Sequence, residues 1–434
     1  MMQRWTKRLS ILFFAVAILS SSLLGASAKV SAAEVQANLN LAVKSAILLE
    51  ASTGKILYSN NPDLPLPTAS MTKMMTEYLV QEAIKQKKIS WDEQVPVSEY
   101  AFYIAKISDT SGVYLNAGES FTVRELYKAM AVVSANDATV LLAEKVAGSE
   151  ANFVQLMNKK AAELGMKNTS FLTSTGLPAN ELGPYSIKGE QVENLMSARD
   201  SAILARALIR DFPEALEVSK IPRLNFRAGT PEELKMANNN WMLTGLNNYY
   251  QGVDGLKTGY TLAAGYCFTG TATNDNMRLI SVVMGTENKS KRFVETKKLF
   301  DYGFSTFKMV KKDAKGAQLK GYETATVKKG VELSVPVELA SDSMVLSKVG
   351  EEGKFKPTVK LDELTAPIKK GQVVGKVVYA LDGATENDYL QPEDFTKGGI
   401  DLVASQDVEE ASWIRLFFRS IIQFVSNIFK GVVG

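Results

Sequence analysis

The chain has 434 residues, 46% of them hydrophobic and 22% charged, with a formal net charge of +3. That length predicts two domains plus appendages, and the slight positive balance without a dense basic stripe argues against a nucleic-acid binder. It holds no histidine and one cysteine, which excludes a Ser-His-Asp triad, a Cys-His dyad, a His-ligated metal site and an intrachain disulfide.

The first 33 residues carry an address. Arg4, Lys7 and Arg8 precede the apolar run Ile11–Leu24, and Ala26-Ser27-Ala28 and Ser31-Ala32-Ala33 follow as candidate cleavage sites. This is the three-part pattern of a secretory signal peptide. Ser20, Ser21 and Ser22 interrupt the run, which favours cleavage over a spanning anchor. The mature protein is expected outside the cytoplasmic membrane, held together by its core alone.

Residues 34–308 read as one domain. Ala42–Glu50 and Ile56–Tyr58 flank a Gly-containing turn at Ser52–Lys55, the pattern of a β-hairpin. Pro65 and Pro67 break the chain before a helix expected from Ser70 to about Gln86, where Met71, Met74, Met75, Tyr78, Leu79 and Ala83 recur at helical spacing. Helices are predicted at Val123–Ala147, Glu150–Leu164 and Ser197–Leu208, and a strand at Leu279–Met284. Strands at both ends with helices between them predict one sheet shared by distant segments, with a helical block against it. The lone thiol, Cys267, sits in an apolar run and reads as a small core residue.

Residues 309–395 are rich in Val, Lys, Glu and Gly. Val327, Val331, Leu333, Val335, Val337 and Leu339 alternate with mostly polar neighbours, the period of a half-buried strand, and Lys370–Tyr379 reads as a turn and strand. A small all-β domain is expected, a spacer or docking module with no catalytic constellation. Residues 396–434 read as a linker and an amphipathic helix. From Ala411 onward the polar residues mostly fall three or four apart, and the opposite face carries Trp413, Ile414, Phe417, Phe418 and further apolar residues. Arg415, Arg419 and Lys430 are expected to face anionic headgroups, with the aromatic face sunk into a membrane surface. Two arginines a turn apart argue against a spanning helix.

Three short motifs carry the chemistry: Ser70-Met71-Thr72-Lys73, Ser134-Ala135-Asn136 and Lys257-Thr258-Gly259. Each alone is weak. Ser-x-x-Lys recurs at Ser52–Lys55 and Ser305–Lys308, and Ser59-Asn60-Asn61 repeats the second pattern. Ser70 differs in standing at the head of a helix, with Lys73 one turn on and on the same face. The helix N-terminus favours developing negative charge there. The methionines around Lys73 predict burial, which depresses an amine's pKa. Ser134 and Asn136 form a polar knot within an apolar run; helix capping is the ordinary reading, and a chemical partner the alternative. Gly259 is expected to let a ligand lie close to a strand, with a plain turn glycine as the alternative.

In this order the trio is the kind found in class A β-lactamases and penicillin-binding proteins. With its flanks, Pro67–Lys73, Ser134–Ala138 and Lys257–Cys267, and with Asn168-Thr169-x-Phe171, Gly176-Leu177-Pro178 and Ser197–Asp200, the sequence resembles the D-alanyl-D-alanine carboxypeptidases, the low-molecular-mass penicillin-binding proteins of serine peptidase family S11. The resemblance implies an α/β (α+β) domain of the β-lactamase/transpeptidase type, an antiparallel sheet with a helical cluster, followed by a small β domain and an amphipathic anchor. It implies removal of the terminal D-alanine from peptidoglycan pentapeptide stems, with β-lactams as covalent inhibitors and no cofactor or metal. It further implies roles: Ser70 as nucleophile, Lys73 as its base, Ser134 as proton relay to the leaving amine, and Asn136 as substrate binder and orienter of Lys73. Lys257 would stabilise negative charge near Ser134, and Thr258 with Arg292 would bind the terminal carboxylate. The N–H groups of Ser70 and Tyr260 would form the oxyanion hole. Tyr260 and Thr175 stand where some relatives carry histidine, which bears on substrate preference and deacylation. The rival readings are a serine β-lactamase, whose Glu-x-x-Leu-Asn segment is missing between Asn136 and Lys257, and a wall-binding protein with a decayed site.

Overall fold

The structure, a computed structural model, describes residues 37–351, 355–381, 384–397 and 399–432. The signal-peptide reading of residues 1–33 lies outside them.

Ser45–Glu50 (β1) and Ile56–Asn60 (β2) form the expected hairpin. Two hundred residues later, Val253–Thr261 (β3), Gly265–Asn274 (β4) and Met277–Thr286 (β5) form an antiparallel meander. β5 pairs with β1, Ile47 opposite Val282, so the sheet runs β2-β1-β5-β4-β3. The domain's helices include Lys73–Lys85 (α1), Val123–Val133 (α2), Asn136–Ala147 (α3), Glu150–Glu163 (α4), Ala198–Asp211 (α5) and Lys291–Thr306 (α6), of which α1, α5 and α6 pack on the sheet.

Every residue of β1 is buried because both faces of the sheet are covered. Ile47 and Leu49 pack with Met71, Met74 and Met75 at the start of α1 and with Ala202 and Leu204 of α5. Ala46 and Leu48 face the other way, against Phe293, Leu299 and Phe300 of α6. Period-two alternation divides the strand between two cores, and burying each of Ile47, Leu48 and Leu49 stabilises by about 1.5–3 kcal/mol. α2 and α3 build a separate helical cluster around Leu126, Met130, Val133 and Leu141.

Two expectations change here. Val123–Ala147 is not one helix. Apolar residues continue on both sides, so the pattern hides the break, but Ser134 adopts φ 63° and ends α2 in a left-handed turn before α3 starts at Asn136. The Val327–Leu339 alternation is a hairpin, not one strand: Lys329 turns the chain at φ 58° and Leu333 is 56% exposed.

The second region comprises Phe307–Lys311 (β6), Thr324–Lys328 (β7), Ser334–Leu339 (β8), Met344–Lys348 (β9), Phe355–Leu361 (β10), Leu364–Thr365 (β11), Val373–Leu381 (β12) and Ile400–Ala404 (β13). β6 pairs with β9, and the rest form a sheet ordered β10-β12-β13-β8-β7-β11. β13 lies inside this sheet although it falls beyond residue 395, in the stretch read as linker. Its five residues are too few for a clear period, yet Leu402 and Ala404 are buried beside Val337 and Val377. The region also contains a short helix, Pro392–Lys397. Arg206 of α5 donates to Asp394 there at 2.7 Å, and Lys55 pairs with Asp388 at 3.4 Å, tying the second region to the first.

The tail forms a helix, Trp413–Val432 (α7). Val331 N–H donates to Glu409 O and Ala411 N–H to Lys329 O, both at 2.8 Å, fastening the helix start to the β7–β8 turn. Arg419, expected to face headgroups, instead donates to the carbonyls of Gly330 (2.6 Å) and Val331 (2.7 Å). Arg419 therefore faces protein, because an arginine one and a half turns in can reach turn carbonyls that periodicity alone does not reveal, while Arg415 stays exposed. Trp413, Ile414, Phe417, Phe418, Ile421 and Ile422 are exposed. Among the described residues no helix is long and apolar enough to cross a membrane.

Candidate active site

Ala69–Thr72 form a 3₁₀ turn that runs straight into α1. Ala69 is fully buried with φ 46°, a left-handed conformation that costs a residue with a Cβ about 1 kcal/mol or more and persists only where the surroundings enforce it. The next residue, Ser70, is half-buried at a cleft. Lys73 is fully buried one turn on. Its Nζ lies 2.9 Å from Ser70 Oγ, 2.7 Å from Asn136 Oδ1 and 2.7 Å from the Thr175 carbonyl oxygen. Two of these partners are carbonyls and can only accept. A neutral amine has two N–H groups and one lone pair. If both N–H groups go to the carbonyls, the lone pair is left facing the Ser70 hydroxyl.

The electrostatics favour that neutral form. Burial pushes Lys73 well below the usual lysine range, and the positive charge of Lys257 pushes the same way; Asp137, Glu150 and Glu77 oppose them. Lys257 is 2% exposed and is itself brought down to about 8, chiefly by burial. Glu77, one turn beyond Lys73 on α1, is buried beside Tyr127, and burial raises its carboxyl while both lysines lower it.

The second wall is the break between α2 and α3. The left-handed turn at Ser134 and the start of α3 put Ser134 and Asn136 at the cleft. Asn136 N–H donates to Ser111 O at 2.8 Å. Ser134 Oγ is buried and has no hydrogen-bond partner among the described residues. A buried hydroxyl without a partner beside a cleft is available to a ligand.

The third wall is β3. Lys257 Nζ donates to Thr258 O at 3.3 Å. A Cβ on Gly259 would stand 2.6 Å from Thr68 O and 3.2 Å from Met71 Cγ. The space a Cβ would need is taken by the turn that carries Ser70, so the glycine seats β3 against that turn while still lining the cleft. Tyr260 is 48% exposed and stacks on Tyr266, ring centres 4.2 Å apart. Behind the strand, Arg292 of α6 is 3% exposed; its Nη1 donates to Gly259 O at 3.2 Å, while its Nε has no partner. No carboxylate acts on it, and burial lowers its pKa to about 10, leaving it cationic at neutral pH.

Ser70, Ser134, Asn136, Thr258, Gly259, Tyr260 and Arg292 thus line one cleft of ≈ 290 Å³. Lys73 and Lys257 reach its wall from within the core. The other Ser-x-x-Lys pairs stand elsewhere, Ser52–Lys55 in the hairpin turn and Ser305–Lys308 at the end of α6. Burial pushes the Cys267 thiol up to about 11, as for a core residue. Sequence reasoning missed the Thr175 carbonyl and the buried Glu77, Asp137 and Glu150. A backbone carbonyl leaves no trace in residue identity, and the only sign of the carboxylates was their place in apolar helical runs. Two of the segments that carried the resemblance meet away from the cleft: Asp200 accepts from Asn168 N–H at 2.6 Å and Thr169 Oγ1 at 2.8 Å.

Residues 30–288 match the family model for D-alanyl-D-alanine carboxypeptidase, and residues 304–410 that for the penicillin-binding protein 5 C-terminal domain. The chain is 38% identical over 363 residues to the D-alanyl-D-alanine carboxypeptidase DacF of Bacillus subtilis, covering 82% of this chain and 86% of that one. A peptidoglycan synthesis regulatory factor (PBP3) from Streptococcus pneumoniae superposes with a TM-score of 0.77 at 34% identity, over 85% of this chain and all of that one. Penicillin-binding protein D2 from Listeria monocytogenes, in an ampicillin-bound form, gives a TM-score of 0.52 at 34% identity, over 62% of this chain and 100% of that one.

Proposed function

We propose, from the premise that this chain belongs to the D-alanyl-D-alanine carboxypeptidase family (serine peptidase family S11), that it removes the terminal D-alanine of peptidoglycan pentapeptide stems through an acyl-serine intermediate. The observation that carries the reading is the three-point hold on Lys73 Nζ by Ser70 Oγ, Asn136 Oδ1 and Thr175 O. Ser70 Oγ attacks the carbonyl carbon between the two D-alanines, and its proton passes to Lys73 Nζ. The tetrahedral oxygen is stabilised by the N–H groups of Ser70 and Tyr260. As the C–N bond breaks, Ser134 Oγ relays a proton to the departing amine, with Lys257 holding negative charge near it. Water then hydrolyses the ester. Thr258 and the buried, unpaired cation of Arg292 take the substrate's terminal carboxylate. β-Lactams, which present a strained amide, acylate Ser70 by the same first step; the ampicillin-bound form of the Listeria relative supports this.

The cellular reading is proposed with it. An exported enzyme would rest on the membrane surface through α7, whose exposed Trp413, Ile414, Phe417, Phe418 and Ile421 share one broad face opposite Arg419 and the β7–β8 turn. That face supports in-plane binding by apolar contact, with Arg419 committed to protein.

Incubating the protein with a D-alanyl-D-alanine peptide and with nitrocefin tests the activity. D-alanine release with slow nitrocefin turnover supports the carboxypeptidase; rapid nitrocefin hydrolysis without D-alanine would make it a β-lactamase.

A further inference from the structure

The Thr175 carbonyl that holds Lys73 belongs to a loop, and that loop is itself held from behind. Glu150, the first residue of α4, is 9% exposed. Its Oε1 accepts from Ser174 N–H at 2.8 Å and from Ser174 Oγ at 2.5 Å, and its Oε2 accepts from Tyr100 Oη at 2.6 Å. Three donors, Ser174 N–H, Ser174 Oγ and Tyr100 Oη, satisfy it. On the other side, Thr76 Oγ1 donates to the Ser174 carbonyl at 2.8 Å. One residue past Thr175, Gly176 adopts φ 81°, and a Cβ there would overlap the Ala69 carbonyl. The loop is therefore pressed directly on the turn that carries Ser70, and the direction of the Thr175 carbonyl follows from how Ser174 is pinned.

We propose that Glu150 is a positioning residue: by fixing Ser174 it aims the Thr175 carbonyl at Lys73 Nζ, and so turns the amine's lone pair toward the Ser70 hydroxyl. This rests on the reading of Lys73 as the base that activates Ser70. Glu150 touches neither substrate nor nucleophile. Its effect falls on the acylation step, with non-covalent binding left alone, because the loop aims a base and forms no part of the carboxylate site at Thr258 and Arg292.

A conservative change separates position from charge. Glutamine at this place can still accept from Ser174 with Oε1 and can donate to Tyr100 Oη with Nε2, yet it carries no charge. Stopped-flow acylation by benzylpenicillin resolves the binding constant from the acylation rate constant. Glu150→Ala is expected to slow acylation by about 100-fold, the scale of a misplacement near 1 Å, with binding within about threefold. Glu150→Gln is expected to restore the rate to within about threefold of wild type. Glu150→Ala acylating at the wild-type rate would overturn the proposal. So would a Gln variant as slow as the Ala variant, since charge would then be the agent, or a loss that falls on binding. If Glu150→Ala does not fold, the double variant Thr76→Val with Ser174→Ala removes two of the side-chain bonds on Ser174; about tenfold slower acylation supports the proposal, and an unchanged rate refutes it. Wild-type protein that takes no penicillin on Ser70 would remove the underlying reading, and this one with it.

Discussion

Asn136 Oδ1 lies 2.7 Å from Lys73 Nζ, across 63 residues of sequence. The contact joins the first motif to the second and commits one N–H of the lysine to an acceptor that can do nothing but accept. The Thr175 carbonyl commits the other. A fully buried amine so held is a base with a direction, which is what a serine nucleophile needs where no imidazole exists.

The pH dependence follows from the two lysines. Lys73 acts as a base only when neutral, and burial with the Lys257 charge places its pKa far below the usual value. In the proposed mechanism Lys257 acts as a cation, and burial brings its pKa down to about 8. Acylation therefore rises with pH as Lys73 loses its proton and falls again above about pH 8 as Lys257 loses its own. Replacing Lys257 by arginine, which does not titrate in this range, is expected to move the basic limb upward in a profile of kcat/KM against pH. A basic limb left in place would assign it to another group.

Arg292 supplies a buried cation with an unpaired Nε at the cleft. Arg292→Gln is expected to raise KM for a peptide ending in a free carboxylate by about 10- to 100-fold, the worth of about 1.5–3 kcal/mol for a charged hydrogen bond. The same change is expected to have little effect on a peptide amide. Equal losses on both substrates would mean that the guanidinium supports β3 through Gly259 and does not bind substrate.

Gly259 has no room for a methyl group. Its neighbour at 2.6 Å is the Thr68 carbonyl, part of the backbone and unable to swing aside. Gly259→Ala is expected to cost about 1–3 kcal/mol and to slow acylation, because β3 must lift from the turn that carries Ser70. Thermal unfolding with a β-lactam acylation assay checks both, and an unchanged midpoint would contradict the packing argument.

The tail gives a separable pair of outcomes. Deleting residues after Glu410 is expected to abolish sedimentation with anionic vesicles. Arg419→Gln is expected to leave vesicle binding in place, since the apolar face is untouched, while exposing the 405–412 segment to limited proteolysis. Loss of vesicle binding in Arg419→Gln would mean that the arginine meets headgroups after all.

Much of this was legible in the sequence because the signals were local. The hairpin, the helix after Pro67, and α4 and α5 follow from periodicity and punctuation, and the lack of histidine forces attention onto Lys73. What was hidden is what periodicity cannot carry. The apolar run through Ser134 masks a left-handed turn that only tertiary packing fixes. β13 has too few residues to declare a period. Gly259 reads as room for a ligand, and nothing in the sequence shows that the Thr68 carbonyl also needs the missing Cβ. Arg419 looks like a headgroup contact until the fold brings the β7–β8 turn beside it. The Thr175 carbonyl belongs to every possible residue at that position, so no motif could name it.

The central claim is that Ser70 is the nucleophile and Lys73 its base. Intact mass spectrometry after benzylpenicillin exposure, with the adduct mapped by peptide digestion, tests it most directly. A single penicilloyl adduct on the peptide containing Ser70 is predicted, lost in Ser70→Ala and formed far more slowly in Lys73→Met. An adduct on any other residue, or one that persists in Ser70→Ala, would contradict it.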